Sequence, residues 1–332
     1  MKFVTFCSAD ERQRLGVLVE NETKILDLRK AHEISGREHT PHFYSMLACI
    51  EGGDAAMSGA RQLLDKYDED AIVNIGDGDG SVRLLTPLPR PPQIRDCLCF
   101  EAHLKQAYEV LRQMKAAGEA DPEAALAQYE RDGLFNIPDV WYRQPIYYKA
   151  NRLSVIGSEE DIIWPHYADI LDYELEFGFF IGKPGRDIPR EKADEHIFGY
   201  SIFNDISARD AQTVEMPGGL GPAKGKDFDS GNVIGPCIVT ADEIDPYNLT
   251  MIARVNGEEW SRGSSCTMHW KFEDLIAHVS QSETIHAGEF FGSGTVGGGC
   301  GLEQQKYLSP GDVIELEVEG IGVLRNRIIR QD

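Results

Sequence analysis

Short apolar runs broken by polar turns open the chain. Val17-Leu18-Val19 and Lys24-Ile25-Leu26-Asp27-Leu28 flank Glu20-Asn21-Glu22-Thr23, which predicts a hairpin within residues 1–28. The period then changes. Phe43, Met46, Leu47 and Ile50 recur at i, i+3, i+4 and i+7, so residues 40–68 are expected to be helical. From Leu84 to Pro92 the chain carries Pro87, Pro89, Pro91 and Pro92, which exclude regular helix and read as a linker. A boundary is expected there, between a small N-terminal α/β domain (1–83) and a larger domain (84–332).

Beyond the linker, Leu104, Ala107, Tyr108 and Leu111 line one face of a helix from Glu101 to Gly118, with the glycine as its C-cap. Asp121-Pro122 supplies an N-cap and a first-turn proline for a second short helix ending near Gly133. After about residue 145 the pattern turns to short strands with Gly, Pro, Asn and Asp between them. Candidates are Tyr173–Phe180, Gly199–Asn204, Cys237–Thr240, Leu249–Val255, Val313–Val318 and Gly322–Ile329. The whole reads as α+β and β-rich, with a mixed sandwich, roll or barrel-like core and a few helices. Gly292-Ser293-Gly294-Thr295-Val296-Gly297 is followed by more glycine and no helical pattern, so it is no dinucleotide loop.

Charge narrows the partners. A net charge of −22 over 332 residues argues against nucleic acid or an anionic membrane, because both need a basic face. No run approaches the length of a membrane span, and Met1 to Phe6 is strand-like rather than a secretory leader. The seven cysteines lie at 7, 49, 97, 99, 237, 266 and 300, with no C-x-x-C pair. Reduced thiols in a cytoplasmic protein fit that scatter.

The chemistry starts at Tyr173-Glu174-Leu175-Glu176-Phe177. Side chains two apart on a strand share a face, so Glu174 and Glu176 project together while Tyr173, Leu175 and Phe177 take the other face. Two carboxylates so placed repel unless something positive lies between them. A hard divalent cation with oxygen ligands answers that need, and Asp205 after a second strand-like segment can add a third ligand. Taken alone, the pair also fits a solvated strand face.

More distant motifs decide the matter. Asn204-Asp205-x-Ser207-Ala208-Arg209-Asp210-x-Gln212 is followed by Leu220-Gly221-Pro222-x-x-Gly225-Lys226-x-Phe228. Downstream stand Gly292-Ser293-Gly294-Thr295, Leu308-Ser309-Pro310-Gly311-Asp312 and Glu319-Gly320-Ile321-Gly322-x-Leu324-x-Asn326. In this order the motifs resemble the fumarylacetoacetate hydrolase superfamily, strongly over about residues 84–332 and weakly before. The resemblance implies metal ligands at Glu174, Glu176 and Asp205. It adds Asp96, seven residues before His103, where the hydrolases proper carry a fourth ligand. Cys97 and Leu98 depart from the family's aromatic positions.

The resemblance also implies His103 as general base, since an imidazole can take a proton from water near neutral pH. Glu303 matches the family's dyad glutamate, and Glu101 is a nearer partner by sequence. Arg209, Lys226 and Gln212 are the implied donors to substrate oxyanions. Tyr148 and Thr295 are implied substrate contacts, Tyr148 fitting a packed core aromatic equally well. The implied reaction is metal-dependent cleavage of a C–C bond in a 1,3-diketo acid, fumarylacetoacetate- or acylpyruvate-like, by His-activated water. Mg²⁺ is the expected cation, with Mn²⁺ or Ca²⁺ also suited to oxygen ligands. The same scaffold serves oxaloacetate-type decarboxylation and hydration or isomerisation of 2-oxo-alkenoates; a binding protein that lost the chemistry ranks last. A homodimer is implied as well. Residues 119–140 and 213–224 flank the motifs as candidate lids.

Overall fold

The computed structural model describes residues 1–7, 12–38, 40–76 and 82–331. Its frame is a large mixed sheet. Along one path the strands run Ile72–Asn74, Lys24–Asp27, Gln13–Val19, Lys2–Cys7, Asn232–Thr240, Ile197–Asp205, Leu175–Ile181, Phe290–Gly292, Ile94–Cys97 and Tyr147–Ala150. A second sheet of five strands orders Glu258–Ser264, Thr250–Val255, Val313–Val318, Gly322–Ile329 and Asp161–Ile163. Leu171–Asp172 and Ser207–Ala208 form a small third pair. The fold is α+β with mixed sheets, as expected. The barrel-like element is corrected: among the described residues the sheets end in edge strands and close no barrel.

Both faces of the large sheet are covered, which explains why its central strands read as nearly continuous apolar runs. Every residue of Leu175–Ile181 is buried. Phe177, Phe179 and Ile181 point into a core shared with Phe272, Met251, Leu316 and Leu324 from the second sheet and its helix. Phe180, one residue out of phase, joins Phe3, Leu26, Ile50, Leu63 and Phe290 under the N-terminal helices. Each aromatic side chain so buried contributes about 1.5–3 kcal/mol of hydrophobic stabilisation. Glu176 has the parity of Phe180 and faces the same side, nearer the start of the strand.

The hairpin over Glu20–Thr23 forms, with Glu20, Asn21 and Glu22 all at positive φ. Glu101–Ala117 is helical and capped by Gly118, and Pro122–Arg131 begins at Asp121, whose side chain accepts from Ala124 N–H. The proline-rich stretch differs from the linker expected. Leu85, Thr86 and Leu88 are buried, Leu85 N–H donates to Thr5 O, and Thr5 Oγ1 donates to Pro87 O. Strand Lys2–Cys7 pairs with Asn232–Thr240, so hydrogen bonding runs across the boundary placed at residue 84. Prolines cannot donate to a ladder, but they can still pack against one.

Candidate metal centre and base dyad

Five neighbouring strands converge on one point. Glu176 lies opposite Phe203 on the Ile197–Asp205 strand, and Gly292 lies opposite both Gly178 and Asp96. Asp96 in turn lies opposite Tyr148. This register gathers Asp96, Glu176 and Asp205 so that one carboxylate oxygen from each falls within 4.8 Å of the others. All three are buried. The cluster depends on a missing side chain: a Cβ at Gly292 would stand 2.5 Å from Asp96 Oδ1 and 3.0 Å from the Phe203 ring.

Some of these oxygens are held. Tyr148 OH donates to Asp205 Oδ2 at 2.6 Å, and Thr295 Oγ1 donates to Glu176 Oε1 at 3.3 Å. Asp96 Oδ1, Glu176 Oε2 and Asp205 Oδ1 are buried without a hydrogen-bond partner. Such groups are rare in folded proteins and costly. Burial, then the Asp205 charge, pushes the Asp96 carboxyl well above the usual carboxylate range. Burial, then Asp96 and Glu174, does the same to Glu176. Three orphaned oxygens with no nitrogen or sulfur among them fit a hard divalent cation.

Glu174 was expected in this cluster and stands beside it. Lys226 Nζ lies 2.7 Å from Glu174 Oε2 and 2.7 Å from Asp205 Oδ2, and Arg209 Nη1 lies 2.9 Å from Glu174 Oε1. Burial works against the Glu174 anion, but Lys226 and Arg209 outweigh it and hold the carboxyl far below its usual range. Lys226 and Arg209 are themselves buried and kept charged by these partners, against their desolvation. Gln212 Oε1 accepts from Arg209 Nη1 at 3.0 Å, on the short helix Arg209–Glu215.

Asp172 went unnoticed in the sequence. Its Oδ2 accepts from Arg209 Nε at 2.8 Å, and its two oxygens accept from Gly301 and Leu302 N–H at 2.7 and 2.9 Å. It therefore ties Arg209 to the start of helix Gly301–Gln304. Its signal was parity: it precedes Glu174 by two residues, on the same face of an extended segment.

That same helix carries Glu303. His103 Nδ1 lies 3.2 Å from Glu303 Oε1, which also accepts from Gly298 N–H at 3.2 Å. Glu303 Oε2 accepts from Cys300 N–H at 3.0 Å. Its other partners are donors, so the imidazole donates from Nδ1 and leaves Nε2 as the basic atom. Glu101 is engaged elsewhere, accepting from Tyr142 OH at 2.6 Å and facing Lys105 Nζ at 2.8 Å. Between Arg209 and Lys226 the chain exposes three large apolar side chains, Val214, Met216 and Leu220, with Leu220 at 101% and Val214 at 82% relative exposure. No helix among the described residues is long and apolar enough to cross a membrane.

The chain is similar to several known proteins. The chain is 31% identical over 333 residues to oxaloacetate tautomerase YisK of Bacillus subtilis, covering 99% of this chain and all of that one. It is 35% identical over 189 residues to human oxaloacetate tautomerase FAHD2A, covering 56% of this chain and 60% of that protein. Among solved structures, a fumarylacetoacetate hydrolase from Exiguobacterium antarcticum superposes over both full chains at TM-score 0.72 and 29% identity. A maleylpyruvate hydrolase from Sphingobium, solved with manganese(II) and pyruvate, shares the fold at TM-score 0.70 and 19% identity, both chains covered in full. Residues 98–329 match the fumarylacetoacetate (FAA) hydrolase C-terminal family, and the chain belongs to the fumarylacetoacetate hydrolase superfamily of enzymes.

Proposed function

We propose that the protein is a divalent-metal-dependent enzyme that interconverts the keto and enol forms of a short 2-oxo dicarboxylic acid of the oxaloacetate type. The observation that carries this reading is an oriented base, His103 on Glu303, whose imidazole is close enough to act on the Glu174 carboxyl beside the carboxylate cluster. The full-length likeness to an oxaloacetate tautomerase supports it. Asp96, Glu176 and Asp205 would hold Mg²⁺ or Mn²⁺, and Glu174 would join them if its contact with Lys226 loosened. The bound ion would polarise the carbonyl of the 2-oxo acid and offset its developing negative charge.

The residues do the rest. His103 Nε2 takes a proton from the C3 methylene, and the net reaction moves one proton from C3 to the C2 oxygen. Glu303 holds the ring in the tautomer that this transfer needs. Arg209, Lys226 and Gln212 meet substrate oxyanions, and Thr295 and Tyr148 fix the orientation of the carboxylates around them. The segment from Val214 to Leu220, with its exposed apolar side chains, closes over bound substrate and excludes water. A homodimer remains part of the proposal, with sedimentation equilibrium as its test.

C–C hydrolysis is the second reading. An oriented base takes a proton from water as readily as from carbon, and the chain's likeness to a fumarylacetoacetate hydrolase extends over its full length. One panel separates the two. Oxaloacetate enol decay, pyruvate formation and loss of acylpyruvate absorbance are followed with Mg²⁺, with chelator and with Glu176→Ala. Metal-dependent enol decay that vanishes in the variant, without loss of acylpyruvate, supports the tautomerase. Acylpyruvate loss without enol decay replaces it with the hydrolase.

A further inference from the structure

Cys300 is fully buried beside the base dyad, and the reaction above gives it no task. Its thiol donates to Glu303 Oε2 at 3.4 Å, and Glu303 Oε1 lies 3.2 Å from His103 Nδ1. One ligating atom from each of His103, Cys300 and Glu303 lies within 4.8 Å of the other two. This set differs in kind from the oxygen cluster. It offers one sulfur, one imidazole nitrogen and one carboxylate oxygen, the mixture that borderline-soft zinc prefers and magnesium does not. Tetrahedral bonds of about 2.0–2.3 Å place donor atoms roughly 3.3–3.8 Å apart. Glu303 meets the sulfur through Oε2 and the imidazole through Oε1, so a small rotation of the carboxylate brings one oxygen to both.

We propose that His103, Cys300 and Glu303 form a second cation site, selective for zinc(II), that switches the enzyme off. Zinc takes the thiolate sulfur, a Glu303 oxygen and Nδ1 of His103, with solvent as fourth ligand. The thiol proton leaves to solvent. The Nδ1 proton is relocated to Nε2, so the ring loses the lone pair that would accept the substrate proton. Inhibition follows without displacement of the catalytic ion. The inhibitory part rests on the functional reading above; the binding part does not.

Cobalt(II) is the probe, added to the full-length protein with the oxygen site saturated by Mg²⁺. A thiolate ligand gives a sulfur-to-cobalt absorption band in the near ultraviolet, and binding releases one proton per ion. The wild-type protein should show both, Cys97→Ser should keep the band, and Cys300→Ser and Cys300→Ala should lose it. Inhibition of Mg²⁺-loaded enzyme should need about tenfold more zinc, or beyond, once the sulfur is gone. A wild-type protein with no band overturns the site whatever the variants do, as does a band that survives Cys300→Ser. A band in a protein that turns over no oxo acid leaves the site standing and removes the functional reading instead.

Discussion

His103 Nδ1 and Glu303 Oε1 lie 3.2 Å apart although 200 residues of chain separate them. The carboxylate is fixed first: the N–H groups of Gly298 and Cys300 hold it at the start of helix Gly301–Gln304. The imidazole is then fixed against it, from the first turn of Glu101–Ala117. Removing the base should therefore cost more than removing its orienter. His103→Ala should lower kcat roughly 10²- to 10⁴-fold, the usual share of general-base catalysis. Glu303→Gln should lower it less and leave KM nearly unchanged. Steady-state kinetics on oxaloacetate enol checks both, and a larger loss for Glu303→Gln than for His103→Ala would overturn the orienting role.

Gly292 leaves room for the carboxylate cluster. A methyl group there would stand 2.5 Å from Asp96 Oδ1, with Phe203 blocking retreat at 3.0 Å. Gly292→Ala should weaken Mn²⁺ binding by at least about tenfold, as displaced carboxylates do at metal sites. Overpacking should also destabilise the fold by about 1–3 kcal/mol. Titration of Mn²⁺ by electron paramagnetic resonance, beside urea unfolding of the chelated protein, measures the two effects separately.

Across the sheet from the site lies a buried ion pair with a structural role. Arg95 bonds Glu289 and Glu283, and both Arg95 and Glu289 are buried. Arg95→Met should destabilise by about 3–5 kcal/mol, because Glu289 is left charged and unpaired. Arg95→Met with Glu289→Met should recover most of that loss. A double-mutant cycle in urea decides it; additive losses would mean the pair is not coupled.

Thiol chemistry gives a pH dependence. Burial pushes the thiols of Cys49 and Cys237 up to about 12. Unfolded thiols ionise near 8.5, so between roughly 8.5 and 12 the unfolded chain sheds protons that the native one keeps. Stability therefore falls as pH rises through that window. Cys49→Ala should flatten the decline, measured by unfolding at pH 8, 9 and 10. At pH 8 the exposed Cys266 should react rapidly with a disulfide reagent, while the buried Cys49, Cys97, Cys99, Cys237 and Cys300 wait for unfolding.

Local patterns were legible because their causes are local. Asp121 before Pro122, Gly118 after the helix of His103, and the Glu20–Thr23 turn each act within a few residues of chain. The shared face of Glu174 and Glu176 follows from strand parity alone, and the ordered motifs from Asn204 to Phe228 marked the family. The proline-rich stretch misled for the same reason: prolines report what a segment cannot donate, not what it packs against.

The sequence by itself determined the strand and helix repertoire, the acidic character and the residue types of the site. Tertiary structure decided how they are partnered. Lys226 bridges Glu174 and Asp205, so one of two glutamates with equal sequence claims is neutralised by an ammonium while the other joins Asp96 and Asp205. Asp172 acquired its role only when Arg209 and the Gly301 helix reached it. Parity fixes which face a side chain takes. Which charge it meets there is set by strands and loops distant in sequence, and in a buried site that partner decides whether a carboxylate is neutralised or left to hold a cation.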